Sequence, residues 1–175
     1  MKQGFERLKR QAMFAAAALA LLGLPPWADP VQGEDWPQWR GPNRDGISRE
    51  TGLLNQWPAE GPPVVWRVPG GEGFSSVSVA GGRAFTMAAS GEEEFALCLD
   101  AVTGKQLWKR RLGEKFTEGH GNGPRSTPTV EGDRVFILGS RGMLTALNAG
   151  TGETVWASDL REVLGSGLPP WGFAA

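Results

Sequence analysis

The chain has 175 residues, with 18 basic and 19 acidic side chains, one histidine and one cysteine. So even a balance gives no electrostatic footprint for nucleic acid or an anionic membrane surface. A lone cysteine excludes an internal disulfide and a lone histidine excludes a two-histidine metal site, so stability must come from packing.

Lys2, Arg7, Lys9 and Arg10 precede an apolar stretch from Ala12 to Leu24, and Pro25-Pro26 then leads into small residues. This is the tripartite form of a secretory signal peptide, and the apolar stretch is too short to span a bilayer. Residues 1–33 are therefore expected to be a leader, cleaved after Gly33 or, as second choice, after Ala28. The rest is expected to be periplasmic or secreted, with no transmembrane segment. The only cysteine, Cys98, lies far beyond the apolar stretch, so a lipid anchor is not expected.

Residues 34–62 open with Asp35-Trp36-Pro37-Gln38-Trp39-Arg40-Gly41-Pro42, which has neither a helical nor a strand period and is rich in turn residues. Two tryptophans so close together need apolar surface to cover, which predicts an N-terminal arm lying along a larger body. An aromatic ligand cage is the sharper alternative. Asn43-Arg44-Asp45-Gly46 lacks the further acidic positions and closing Glu of a calcium loop and reads as a turn.

The remainder is organised by a stretch that occurs twice, Asp100-Ala101-Val102-Thr103-Gly104-Lys105-Gln106-Leu107-Trp108 and Asn148-Ala149-Gly150-Thr151-Gly152-Glu153-Thr154-Val155-Trp156. Its leading segments also repeat: Ser76 to Phe85 matches Thr127 to Phe136. Each copy reads as a four-stranded meander, blade 1 over residues 74–113 and blade 2 over residues 125–161. Gly81-Gly82 makes a tight hairpin in the first copy, and Gly104 supplies the positive φ of the motif turn, as Gly152 does in the second. The charged tip Ser90-Gly91-Glu92-Glu93-Glu94 carries the length difference between the copies and is expected to face solvent. Val135-Phe136-Ile137-Leu138 is apolar on both faces, which predicts a small sheet covered on both sides.

Two fragments flank these units. Val65-Trp66-Arg67 repeats the end of the motif without the three preceding strands, so 63–69 reads as an orphan outer strand of a closing blade. Phe173-Ala174-Ala175 matches Phe74-Ser75-Ser76, so 171–175 reads as the start of blade 3. An all-β propeller of four-stranded antiparallel blades follows, and two blades do not close a ring. The expectation is an N-terminal fragment of a longer protein with seven or eight blades, roughly 350 to 420 residues in all.

The Asp100-to-Trp108 motif, with its copy ending at Trp156, resembles the repeat of the pyrroloquinoline-quinone (PQQ) type of β-propeller. The wider context, Asp35 to Pro42, Gly121-Asn122-Gly123-Pro124-Arg125-Ser126-Thr127-Pro128 and Pro170-Trp171-Gly172, is similar to exported PQQ-repeat proteins of planctomycete-like bacteria. The resemblance implies that Trp66, Trp108 and Trp156 each dock on a neighbouring blade, a structural role shared with the turn glycines Gly104 and Gly152. It does not bring the cofactor with it. Quinoprotein dehydrogenases of this type use an adjacent cysteine pair, a calcium ion and a catalytic aspartate, whereas Cys98 is alone and aligns with Ala146 as a buried filler. Asp100 and its counterpart Asn148 suit turn capping better than catalysis.

No catalytic residue is therefore assigned. The ligand-face candidates are His120, Asn122 and Arg125, on the Gly-rich connection between blades that a propeller places near its axis; a plain linker is the simpler reading. The leading function is a non-catalytic exported scaffold similar to the propeller lipoprotein of outer-membrane barrel assembly, with other exported or envelope proteins, or a small ligand at the axial face, as partners. The alternatives are the N-terminal part of a PQQ-dependent alcohol or sugar dehydrogenase, with PQQ and calcium as its cofactors, and an extracellular carbohydrate-binding module.

Overall fold

The computed structural model describes residues 33–53 and 55–174. The leader expectation falls, apart from Gly33, outside them. Glu34–Ala175 forms one compact unit.

The architecture is all-β: two four-stranded antiparallel sheets, each a meander in sequence order. The first contains β1 (Ser78–Ala80), β2 (Arg83–Ser90), β3 (Glu93–Asp100) and β4 (Gln106–Glu114). The second contains β5 (Thr129–Glu131), β6 (Arg134–Leu138), β7 (Met143–Asn148) and β8 (Thr154–Asp159). They are successive blades of a propeller. The innermost strands, β1 and β5, hold only three residues each, fewer than the apolar pattern suggested, because residues 74–77 and 125–128 run as unladdered linker.

The repeat survives in register. Ser78, Phe85, Cys98 and Trp108 form one cross-strand row, and Thr129, Phe136, Ala146 and Trp156 form its counterpart. Both sheets shift register at the same place, between Cys98 and Leu99 and between Ala146 and Leu147. A bulge adds a residue to one strand and re-aims the side chains beyond it, so Leu107 and Val155 take up the slack just before each tryptophan.

Alternation along the strands builds the core between the sheets. Phe85, Met87, Ala96, Cys98 and Trp108 of the first sheet meet Val135, Ile137, Leu147 and Ala149 of the second, all buried. The opposite face of the first sheet, carrying Ala84, Thr86, Ala88, Leu97 and Leu99, lines a cavity of about 510 Å³ with Trp66, Val68 and the glycines that follow. The expected outer strand at 63–69 has no ladder partner among the described residues; Val64 and Val65 are exposed and Trp66 is the half-buried anchor.

The N-terminal arm ties the two inner strands. Trp36 exchanges both backbone hydrogen bonds with Val79, at 2.7 and 2.9 Å, and Val130 N donates to the Pro37 carbonyl at 2.8 Å. The Trp36 indole lies on Gly41, where a Cβ would fall 2.7 Å from the ring, so glycine is required at that turn.

One expectation is corrected. Glu94 does not face solvent with the rest of the charged tip: it is 2% exposed, at the start of β3. Beyond β8 the chain forms a single helical turn, α1 (Leu160–Leu164), with Asp159 as N-cap and Gly165 (φ 60°) as C-cap. Five residues are too few to show a helical period in sequence.

Candidate functional site

The connection from β4 to β5 folds around Arg125. Its guanidinium donates to Glu118 Oε1 at 2.6 Å, to the Gly121 carbonyl at 2.8 Å and to the Trp171 carbonyl at 2.5 Å. It also stands 5.1 Å from the ring centres of both Phe74 and Phe116, within cation–π range. Arg125 and Glu118 are largely buried, so their opposite charges cancel inside the linker.

His120 N donates to Glu118 Oε2 at 2.8 Å, and the His120 ring Nδ1 lies 3.1 Å from the same oxygen. These hydrogen bonds, led by the backbone one, hold the Glu118 carboxyl below the usual carboxylate range. The imidazole meets the Trp171 indole edge to face at 4.6 Å. Asn122 turns the other way and donates to Glu72 Oε2 at 3.0 Å. Of the three candidates, His120 and Arg125 thus share one network through Glu118, whereas Asn122 joins the segment before β1.

A second polar cluster, which sequence reading missed, lies beneath this linker. Ser140 Oγ and Phe116 N donate to Glu94 Oε1 at 2.8 and 3.1 Å, and Ser140 Oγ lies 3.1 Å from the Gly123 carbonyl. The carboxylate of one sheet is thereby satisfied by the β6–β7 turn of the next. Three consecutive glutamates offer no signal as to which one turns inward.

The motif tryptophans sit on motif glycines of the following sheet. Trp66 Nε1 donates to the Ala101 carbonyl at 3.1 Å and its ring covers Gly104; Trp108 Nε1 donates to the Ala149 carbonyl at 3.0 Å and its ring covers Gly152. Trp156 is 39% exposed, with no such turn beneath it among the described residues. Each turn is built by its first residue. Asp100 Oδ1 accepts from Val102 N and Thr103 N, and Asn148 Oδ1 accepts from Gly150 N and Thr151 N. Bonds from Thr103, its hydroxyl first, hold the Asp100 carboxyl low.

Among the described residues no three His, Cys, Asp or Glu side chains stand where they would hold a metal ion. Burial pushes the Cys98 thiol up to about 11, leaving it unreactive at neutral pH.

The family model described as outer membrane protein assembly factor BamB matches residues 56–172, which include both sheets, the linker and all three motif tryptophans. The chain belongs to this family. Comparison of this BamB-type chain with curated proteins gives no match. Among solved structures, a europium-containing methanol dehydrogenase is 26% identical over 47% of this chain and 14% of its own length, with a TM-score of 0.38. The quinohemoprotein alcohol dehydrogenase ADHIIG from Pseudomonas putida HK5 is 22% identical over 50% of this chain and 13% of its own, also at 0.38. BamB from Moraxella catarrhalis is 19% identical over 50% and 36%, at 0.32. The chain spans only a minor part of each of these proteins. Among the described residues no helix is long and apolar enough to cross a membrane.

Proposed function

We propose that this chain is the N-terminal part of an exported, non-catalytic propeller scaffold that engages other envelope proteins, the kind of role named in the description of its family. In this reading the protein is periplasmic or secreted, and residues 63–69 supply the outer strand of the last blade in a ring of seven or eight.

The observation that carries the reading is that the polar groups best equipped for chemistry are already engaged in holding sheets and linker together. Arg125 is engaged by Glu118, Gly121 and Trp171, and Glu94 by Ser140 and Phe116. A catalytic group needs a free face toward its substrate, and these are largely buried and committed to contacts within the fold. The docking tryptophans and the arm add a rigid body, which suits a platform.

The test is made on the intact protein. Added PQQ and calcium should give no dye reduction with alcohols or aldose sugars above a protein-free control, and cross-linking from its surface in cells should recover envelope proteins. Substrate-dependent dye reduction would replace the scaffold with a dehydrogenase, and recovery of cytoplasmic proteins alone would remove the export reading.

A further inference from the structure

A second cavity, of about 320 Å³, lies between the two blades at the end where their first hairpins meet the arm. Arg83 and Phe85 of β2 contribute one wall, Val130 and Ala149 of the second blade the other, and Asp35 and Pro37 of the arm close it above. The arm is fixed there by the paired bonds of Trp36 with Val79 and by Val130 N donating to the Pro37 carbonyl. The space is that of several waters, at roughly 30 Å³ each. A Cβ on Gly81 or Gly132, which also border it, would meet nothing within 4 Å, so the mouth is open.

Two opposite charges line this space. Arg83 is half-buried, and its Nε is fully buried with no hydrogen-bond partner among the described residues. Asp100, opposite it in the β2–β3 register, is turned into its own motif turn, where Oδ1 accepts from Val102 N and Thr103 N. A buried guanidinium N–H without an acceptor costs the empty protein stability, and an acceptor brought by a ligand removes that cost. At the mouth the exposed Asp35 carboxylate holds Gly81 N, at 3.2 Å from each oxygen, and keeps lone pairs for a further donor. The back of the cavity is apolar: Phe85 and Ala149 are buried and Val130 is half-buried.

We propose that this cavity binds a free α-amino acid with an apolar side chain, its carboxylate accepting from Arg83, its ammonium donating to Asp35 and its side chain lying against Phe85, Val130 and Ala149. The charges match in sign and in spacing along the chain. An α-amino acid carries both on one carbon, and the cavity gathers both at one hairpin, since Asp35 is bonded to Gly81, two residues before Arg83. A guanidinium takes a carboxylate through parallel N–H groups, a geometry that gives Nε its acceptor. The site does not rest on the scaffold reading, and either can fail without the other.

The experiment is an NMR titration of the intact, nitrogen-15-labelled protein with L-leucine and L-phenylalanine, each taken to about 10 mM, which reaches even a weak site. At least one should saturably shift the Arg83 Nε–H signal and slow its exchange with water. The indole N–H of Trp108, which donates to Ala149, should shift with it. The amide of the same amino acid, which lacks the carboxylate, and the same acid without its amino group should each bind about tenfold more weakly or worse. Inorganic phosphate should do no better. Arg83→Met keeps the bulk of the stem and should abolish binding without lowering the melting temperature, because it removes a buried donor that has no partner. Asp35→Asn, the second variant, keeps an acceptor for Gly81 N; it should weaken the amino acid and leave the acid without an amino group unchanged. No saturable shift with either amino acid would leave the cavity to water and overturn the proposal. Equal binding of phosphate or of the acid without an amino group, or binding retained by Arg83→Met, would overturn it as well.

Discussion

Trp108 and Gly152 form a ring-on-backbone seat. The indole covers the glycine so closely that a Cβ would lie 2.7 Å from the ring, and it donates to the Ala149 carbonyl three residues earlier. Trp66 and Gly104 repeat this seat with the same ring atoms at nearly the same distances. The contact is therefore a property of the repeat rather than of one sequence context.

Truncating Trp108 to alanine removes a nearly buried ring and leaves its socket empty, at a cost of about 3 to 5 kcal/mol. Urea denaturation should show it as a lowered midpoint. Trp156→Ala should cost much less in this chain, since the ring is partly exposed.

Gly152→Ala should destabilise by about 1 to 3 kcal/mol through the clash with the indole, in addition to the strain of φ 72°. Gly132→Ala has a similar φ of 58° with open space around it, and isolates the strain at about 1 to 2 kcal/mol. In the Trp108→Ala background the Gly152→Ala cost should fall to that of Gly132→Ala. Additive costs in the double mutant would mean that the two residues do not meet.

Glu94→Leu strands one buried donor, Phe116 N, at about 1 to 3 kcal/mol, while the Ser140 hydroxyl keeps the Gly123 carbonyl as its acceptor. Glu94→Gln retains one acceptor oxygen and should fall between wild type and leucine. Thermal melts at neutral pH measure both.

Glu118 and Asp100 have carboxyls held below their ordinary values of 4.5 and 3.8. The unfolded chain thus takes up protons first as pH falls. Their contribution is complete above the unfolded values and is lost as pH drops through the lower folded ones. The difference in melting temperature between wild type and Glu118→Gln should hold steady above about pH 5.5 and shrink below 4.5.

Cys98, raised to about 11 by burial, should resist a thiol reagent at pH 7.5 in the native protein and react once in denaturant. Rapid native labelling would contradict its placement under Phe85 and Trp108.

The blades were legible because the sequence repeats its turns: Asp100 and Asn148 cap, Gly104 and Gly152 take positive φ, and a tryptophan closes each copy four residues after its glycine. The unbroken apolar run Val135-Phe136-Ile137-Leu138 on β6 marked both faces. The polar core was not legible. Nothing local separates Glu94 from Glu92 and Glu93; burial is decided by Ser140, 46 residues away. The linker candidates His120, Asn122 and Arg125 were visible as chemical types, but Glu118, which joins two of them, and Trp171, which stacks on one, were not. The first relation depends on how the 115–128 connection folds back on itself, and the second on where the chain beyond α1 returns to it.

The seat of each indole lies in chain that follows it, 41 residues on in the case of Trp108. During synthesis the first sheet can pair its own strands early, yet its large ring stays wet until the next motif turn has emerged. Tightening must therefore advance from the amino-terminal side, sheet by sheet. Hydrogen exchange pulsed during refolding should accordingly protect β3 before Trp108 and the 148–152 turn become slow together.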